Sequence, residues 1–248
     1  WVYHRDDYAG RGPSLAAAAA RVVQPILKSW DQRAARSATR YVTSSANIRQ
    51  QIRDVYGLEP EVVPPPAALL PGGSETAVEG TQPGYLLCVS RLLPYKHVDA
   101  VAGAMRALPA ERLVIVGDGP EASSLATTVP ANVTLLGAVS DAQLRWLYRN
   151  ADALVAASYE DYGITPLEAA AFGKPSVVLR QGGFLDTVVE GETGVFFDTP
   201  EAEAIAVALR AMRTARFEPA AIAAHAAGFS EARFIARLRD IVDEVTAA

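Results

Sequence analysis

From Tyr85 onward the chain repeats one unit, a short apolar run followed by a stretch of helical spacing. The apolar runs are YLLCVS, RLVIVG, NVTLLG, DALVAAS, PSVVLR and GVFF, and each predicts a strand. Helical stretches at about 97–107, 120–128, 140–149, 165–173 and 184–190 separate most of them. The runs do not alternate apolar with polar, so such strands are covered on both faces. With helices as connectors this predicts an α/β fold, a doubly wound parallel sheet. Sheets of that kind bind ligands outside the carboxyl ends of their strands. The Gly-rich and charged motifs of this chain fall at those ends.

Residues 1–66 read as a separate unit. Ser14 is placed to cap a long helix through about Arg40, with Val22, Ile26 and Trp30 on one face. Pro25 should kink or split that helix, because proline removes a backbone donor and crowds the preceding turn. RYVTS predicts a short strand, Ala46–Tyr56 a helix ended by Gly57, and EVVPPP a strand running into a stiff linker. Pro64–Pro66 marks the boundary, and the Gly/Pro-rich stretch after it predicts a loop. Residues 67–228 then form a Rossmann-like domain. The last helix, EARFIARLRDIVDEV, begins after Ser230 with Phe234, Leu238 and Ile241 on one face, and residues 229–248 are expected to pack back toward the first unit.

Half of the 248 residues are apolar, enough for a sizeable core. The chain opens on Trp1 in what reads as mid-domain sequence, and we expect an N-terminally truncated chain. The run Ala16–Ala20 is too short and too weakly apolar to span a bilayer. The one cysteine, Cys88, lies in YLLCVS and reads as a small core residue, which fits a reducing, cytoplasmic setting. The net charge of −5 divides into +4 over residues 1–60 and −9 over the rest. The basic segment reads as a solvated helix face or as a surface meeting anionic lipid, a peripheral contact at the inner membrane face. An acidic balance without interleaved basic and aromatic residues speaks against nucleic acid.

Four motifs carry candidate chemistry. In EDYGITPLEAAAFGKP, Glu160 and Glu168 are separated by seven residues around a Gly turn and a helix start. Thr165 reads as an N-cap, Pro166 as the first helical residue and Glu168 as the third. A strand, a turn and a helix N-terminus aim N–H groups at one place, suited to a pyrophosphate, and carboxylates beside it suit sugar hydroxyls. Glu168 equally reads as the far half of a capping box with Thr165. Glu160 has no evident structural duty, and Asp161 beside it is an alternative active carboxylate. In SRLLPYKHVD, Ser90, Arg91 and Lys96 follow a strand, where the two cations either meet a diphosphate or are solvated. Gly117, Gly119 and Ala122 match a dinucleotide fingerprint, but after the second strand of the domain and with Pro120 opening the helix. A turn admitting a nucleotide and a purely structural turn both remain open. Gly182 and Gly183 permit exposed N–H groups, or form a loop with no ligand. His4, His97 and His225 are scattered and no D-x-D pair occurs, so no metal site is expected.

Taken in order, these segments resemble the retaining, metal-independent glycosyltransferases of the GT-B fold, of the group 1 or family 4 type. SRLLPYKHVD is similar to the family's S-R-L-x-x-x-K-x-x-D segment and VIVGDGPE to its G-x-G-P turn. The stretch through Glu168 is similar to its E-x7-E core, and GGFLDTVVEGETGVFF to its G-G-x-x-E and G-x-T-G segments. WDQRAARSATRYVTSSANIRQQIRDVYGLEPEVVPPP resembles the close of the N-terminal domain of O-antigen-type mannosyltransferases. His97 stands where relatives often have Arg, and Asp186 where they have Glu.

The resemblance implies that Arg91 and Lys96 bind the donor diphosphate, and that Glu160 sits near the transferred sugar. It implies that Glu168 takes the ribose hydroxyls, and that Ser90, Gly117, Gly119, Asp161, Gly163, Ile164, Thr165 and Gly183 complete the donor site. No cofactor is implied. The donor is a GDP-sugar by preference, with UDP- or ADP-sugar as alternatives, the sugar mannose by analogy, and the acceptor a glycan or lipid-linked molecule. The residues present are expected to bind donor but not to turn over alone. A sugar-nucleotide epimerase, a non-catalytic nucleotide-binding module and an NAD-binding domain are the competing readings.

Overall fold

The computed structural model describes residues 15–247, with side chains from Val23 onward. The expected cap at Ser14 lies outside the described residues. The predicted strands all form: β1 (Val42–Thr43), β2 (Glu61–Val62), β3 (Tyr85–Val89), β4 (Leu113–Val116), β5 (Val133–Gly137), β6 (Ala151–Ala156), β7 (Ser176–Leu179) and β8 (Gly194–Phe197). The helices are α1 (Leu15–Arg36), α2 (Ala46–Tyr56), α3 (Val98–Ala104), α4 (Ala122–Thr128), α5 (Asp141–Asn150), α6 (Ile164–Ala171), α7 (Phe184–Thr187), α8 (Ala202–Thr214), α9 (Pro219–Ala227) and α10 (Glu231–Thr246).

Strands β3 to β8 form one parallel sheet in the order β5-β4-β3-β6-β7-β8. One face buries Leu86, Ile115, Val155 and Val177 against Val101 of α3 and Ile205 and Leu209 of α8. The other buries Leu87, Val114 and Leu154 against Leu147 and Tyr148 of α5 and Ala169 of α6. This burial on both faces is why the strands read as continuous apolar runs. Helix α5 is fixed by a capping box between Ser140 and Gln143.

The first unit is small. β1 and β2 pair in parallel, Val42 opposite Glu61 and Thr43 opposite Val62. Ser45 caps α2, its hydroxyl accepting from the Ile48 N–H at 3.1 Å, and Gly57 ends it in the left-handed region. Helix α1 docks on α2 through the Tyr56 hydroxyl, which donates to Asp31 at 2.8 Å, and through Gln32, whose amide reaches the Val55 carbonyl at 2.5 Å. At the other end of the chain, Ile241 of α10 is buried and Arg237 pairs with Glu61 of β2, Nη2 to Oε2 at 2.8 Å. The Arg237 and Arg40 guanidiniums hold the Glu61 carboxyl down at about 2.

Two local expectations are corrected. Pro25 does not split α1, which runs through it and stops at Arg36, where Ser37 closes onto the Ala34 carbonyl through its N–H at 3.1 Å and its hydroxyl at 2.7 Å. A proline in mid-helix costs one N–H bond, and the twenty-two-residue helix tolerates that loss. Ile26 and Trp30, which share one face of α1, are 68% and 63% exposed, and α1 packs through the buried Ala35 and the polar contacts of Asp31 and Gln32. Helix α6 starts one residue before Thr165. Gly163, at φ 88, is its N-cap, and the Phe184 ring fills the space a side chain there would need, with Cδ1 2.6 Å from an ideal Cβ. Thr165 is therefore inside the first turn, and Glu168 falls too late for a capping box.

The turn after β4 depends on Gly117, at φ 129, where an added Cβ would lie 1.9 Å from the Ser90 carbonyl oxygen. Gly57 also has positive φ, 67, but a Cβ there would meet nothing within 4 Å. Gly117→Ala should lower stability in urea denaturation by more than about 3 kcal/mol, and Gly57→Ala by about 1–2 kcal/mol. Equal losses would mean that the Ser90 loop can part from the turn freely.

Candidate functional site: a cleft at the sheet's switch point

The sheet order reverses direction between β3 and β6. From β3 the chain builds outward through β4 and β5, then returns to lay β6 against the other side of β3 and continues to β7 and β8. Connections on the two sides run to opposite faces, which leaves a crevice at the carboxyl ends of β3 and β6. A cleft of about 590 Å³ lies there.

Ser90, Arg91 and Lys96 line it from the loop after β3, and Gly117 from the turn after β4. Glu160, Asp161, Gly163, Ile164 and Thr165 line it from the loop after β6 and the start of α6. The loop after β3 turns through Pro94–Lys96 into His97, which takes the left-handed conformation at φ 51 before α3. That turn carries Lys96 back over the cleft, where its ammonium pairs with the Glu160 carboxylate. The Ser158 hydroxyl donates to the same oxygen, Oε1. Arg91 donates to the Tyr95 hydroxyl at 3.2 Å, and the Lys96 ammonium sits 4.9 Å from the centre of the Tyr95 ring. Gly163, Ile164 and Thr165 bring the N-terminus of α6 to the same space, so two cations and a helix N-terminus converge.

Gly119, Glu168 and Gly183 do not line the cleft. A Cβ at Gly119 would come 2.4 Å from the Leu92 carbonyl oxygen, so this glycine lets the neighbouring loop approach. Gly183 donates its N–H to the Glu160 carbonyl at 2.7 Å, and that donor is spent within the protein. Glu168 is buried, 6% exposed, accepts from the Tyr148 hydroxyl at 2.7 Å, and has the Leu69 backbone N–H directed toward it. Burial pushes its carboxyl up to about 7 against the opposing pull of those two donors, and the Asp141 charge adds to the rise.

Sequence reasoning passed over Tyr95, Ser158 and Tyr162, which also line the cleft. Each lies within two residues of a residue it did single out, and none has a motif of its own. Cys88 lies on the cleft floor, and burial pushes its thiol up to about 12, so it remains a thiol near neutral pH. Among the described residues no group of three or more His, Cys, Asp or Glu gathers as a metal site.

Glu168 gives the stability a definite pH dependence. Unfolded, its carboxyl loses a proton near 4.5, and folded it keeps the proton to about 7. Between those values the folded state binds more protons, so this contribution is full below pH 4.5 and is lost as pH rises to 7, an effect of about 3 kcal/mol. Urea denaturation at pH 5 and pH 8 should show a larger loss in the wild type than in Glu168→Gln, and equal losses would refute the raised carboxyl.

The sequence and the fold both have close counterparts. The model of the glycosyl transferases group 1 family matches residues 75–226. The D-inositol 3-phosphate glycosyltransferases of Mycobacterium tuberculosis and Mycobacterium bovis are 30% identical over 234 aligned residues, which cover 83% of this chain and 48% of theirs. The chain thus spans about half the length of the curated relatives it matches. A glycosyltransferase from Rickettsia africae superposes with a TM-score of 0.71 at 18% identity, covering 84% of this chain and 63% of that one. The pneumococcal O-GlcNAc transferase GtfA, in complex with UDP and GlcNAc, superposes with 0.69 at 20% identity, covering 88% and 47%. These are GT-B glycosyltransferase structures, and this chain shares their parallel α/β fold. The matched region holds the entire six-stranded sheet and every residue that lines the cleft, and on that ground the chain belongs to the group 1 glycosyltransferases.

Proposed function

We propose that the cleft binds a nucleoside-diphosphate sugar and that the protein transfers the sugar with retention. The carrying observation is the meeting of Arg91, Lys96 and the α6 N-terminus in one cleft beside Glu160. In this reading the diphosphate lies between the two cations and the first N–H groups of α6. Negative charge that develops on it as the sugar departs is met by donors already in place, with no metal ion required. An incoming diphosphate competes with Glu160 for the Lys96 ammonium, which would release the carboxylate toward the sugar. The ribose role that the resemblance gives Glu168 requires the ribose to reach past the cleft lining to this buried carboxyl. A carboxylate accepts about four hydrogen bonds, so once the proton is lost the bond from Tyr148 leaves lone pairs for a diol.

The mannose and guanosine preferences rest on the resemblance to O-antigen-type transferases. The pneumococcal neighbour, which holds UDP, gives uridine equal standing in the test. The acceptor is a glycan or lipid-linked molecule. The exposed Ile26 and Trp30 of α1, with Arg33 and Arg36 near them, supply the peripheral membrane contact in this reading.

The test is a thermal-shift and calorimetric panel of GDP, UDP, ADP and NADH on the wild type and Arg91→Ala. Arg91 is exposed, so its removal leaves the fold intact. At a concentration of 100 Kd one diphosphate should stabilise the wild type by about 2.7 kcal/mol. Its affinity should fall by roughly 10- to 100-fold in Arg91→Ala, the loss of a charge-assisted contact. Stabilisation by NADH alone, or equal binding to both proteins, would overturn the reading.

A further inference from the structure

The segment Ser158–Gly163, which carries Glu160 into the cleft, has no regular structure until α6 begins. Its position is therefore set by what holds it, and the holders come from two sides. On the sheet side, Gly183 donates to the Glu160 carbonyl at 2.7 Å, and side chains at Gly182 and Gly183 would collide with the backbones of Glu160 and Tyr162 at 2.3 and 2.2 Å. On the other side, the ties run to the first unit. The Ser45 hydroxyl donates to the Asp161 carbonyl at 2.5 Å, and the Tyr162 hydroxyl donates to the Pro65 carbonyl at 2.7 Å. The Tyr159 hydroxyl meets the Asn47 and Gln51 amides, each at 2.9 Å.

The N-terminus of α2 is itself anchored to the sheet side. Asp186 Oδ2 accepts from the Ala46 N–H at 3.1 Å and the Asn47 N–H at 3.4 Å, an anion at the positive end of a helix. Ser45 is fully buried, and its hydroxyl accepts from the Ile48 N–H and donates its single proton to the Asp161 carbonyl. One side chain thus caps α2 and holds the cleft loop.

We propose that Ser45 and Asp186 make the α2 N-terminus a positioning element for the Glu160 loop, so that the first unit sets the sugar-facing half of the cleft. Arg91 and Lys96 belong to the loop after β3, whose backbone is tied to the turn after β4 through the Leu92 N–H and the Asp118 carbonyl at 2.9 Å. Among the described residues no hydrogen bond or ion pair joins that loop to α2. Loosening Ser45 therefore acts most on the loop residues that face the sugar, and reaches the diphosphate contacts only indirectly, through the Lys96–Glu160 pair and the α6 N-terminus that follows the loop. The link to the sugar rests on the donor-site reading, whereas the tether itself does not.

Glycine is nearly as good an N-cap as serine and threonine keeps the hydroxyl, so Ser45→Gly removes the tether and leaves α2 capped, while Ser45→Thr restores both. By hydrogen exchange, peptides covering 157–163 and the Gly183 amide should exchange at least tenfold faster in Ser45→Gly. The β3 and β4 amides should be unchanged, and Ser45→Thr should match the wild type. Asp186→Ala should accelerate the same peptides while leaving Ser45 in place. In calorimetry, GDP-mannose or UDP-glucose should bind Ser45→Gly at least threefold more weakly, with GDP or UDP alone within twofold of the wild type. Unchanged exchange overturns the tether. Faster exchange with an equal loss for diphosphate and sugar nucleotide, or with no loss for either, overturns the positioning role. A wild type that binds none of these ligands defeats the donor-site reading separately, and the exchange result then decides the tether.

Discussion

The pairing of β3 with β6 is the contact from which the rest of the site follows. These strands are distant in sequence, with two strands and three helices between them, yet they lie side by side with Leu86 opposite Ala153 and Leu87 opposite Leu154. Because both run in the same direction, their carboxyl ends open onto one edge. The cations that follow β3 and the carboxylate that follows β6 meet only because of that register. A chain that inserted β6 elsewhere in the sheet would keep every motif and lose the cleft.

Backbone proximity does the next part of the work. Gly117 and Gly119 let the turn after β4 lie against Ser90 and Leu92, and Gly182 and Gly183 let the loop after β7 lie against Glu160 and Tyr162. Gly119 and Gly183, offered by the sequence as donor-site residues, each hold a contact between loops. The chemistry of the cleft comes from the side chains that those close approaches hold in place, among them the Lys96 and Ser158 groups that share one oxygen of Glu160. A carboxylate held on one oxygen by two donors presents the other in a defined direction.

Much of the architecture was legible because it rests on local rules. Two-sided burial writes itself as unbroken apolar runs, and Gly57 and Ser230 mark helix ends through hydrogen bonds made within a few residues. The misreadings arose where a distant residue overrode a local signal. Thr165-Pro166 has the form of a helix start, but Phe184 packs where a side chain on residue 163 would lie, and the left-handed glycine there moves the start to Ile164. Glu168 sits at capping-box spacing, yet a tyrosine twenty residues earlier takes its carboxylate.

The sequence by itself determined the sheet and its connectors, the order of the motifs and the strand ends at which they stand, since these follow from hydrophobic period, capping and turn chemistry over short spans. Only the tertiary structure decided which strand ends are neighbours, that Lys96 faces Glu160, that Gly183 spends its donor on a carbonyl, and that Ser45 of the first unit holds the loop of the second. Those outcomes depend on register and on packing between residues tens to more than a hundred positions apart, and no local pattern encodes that distance.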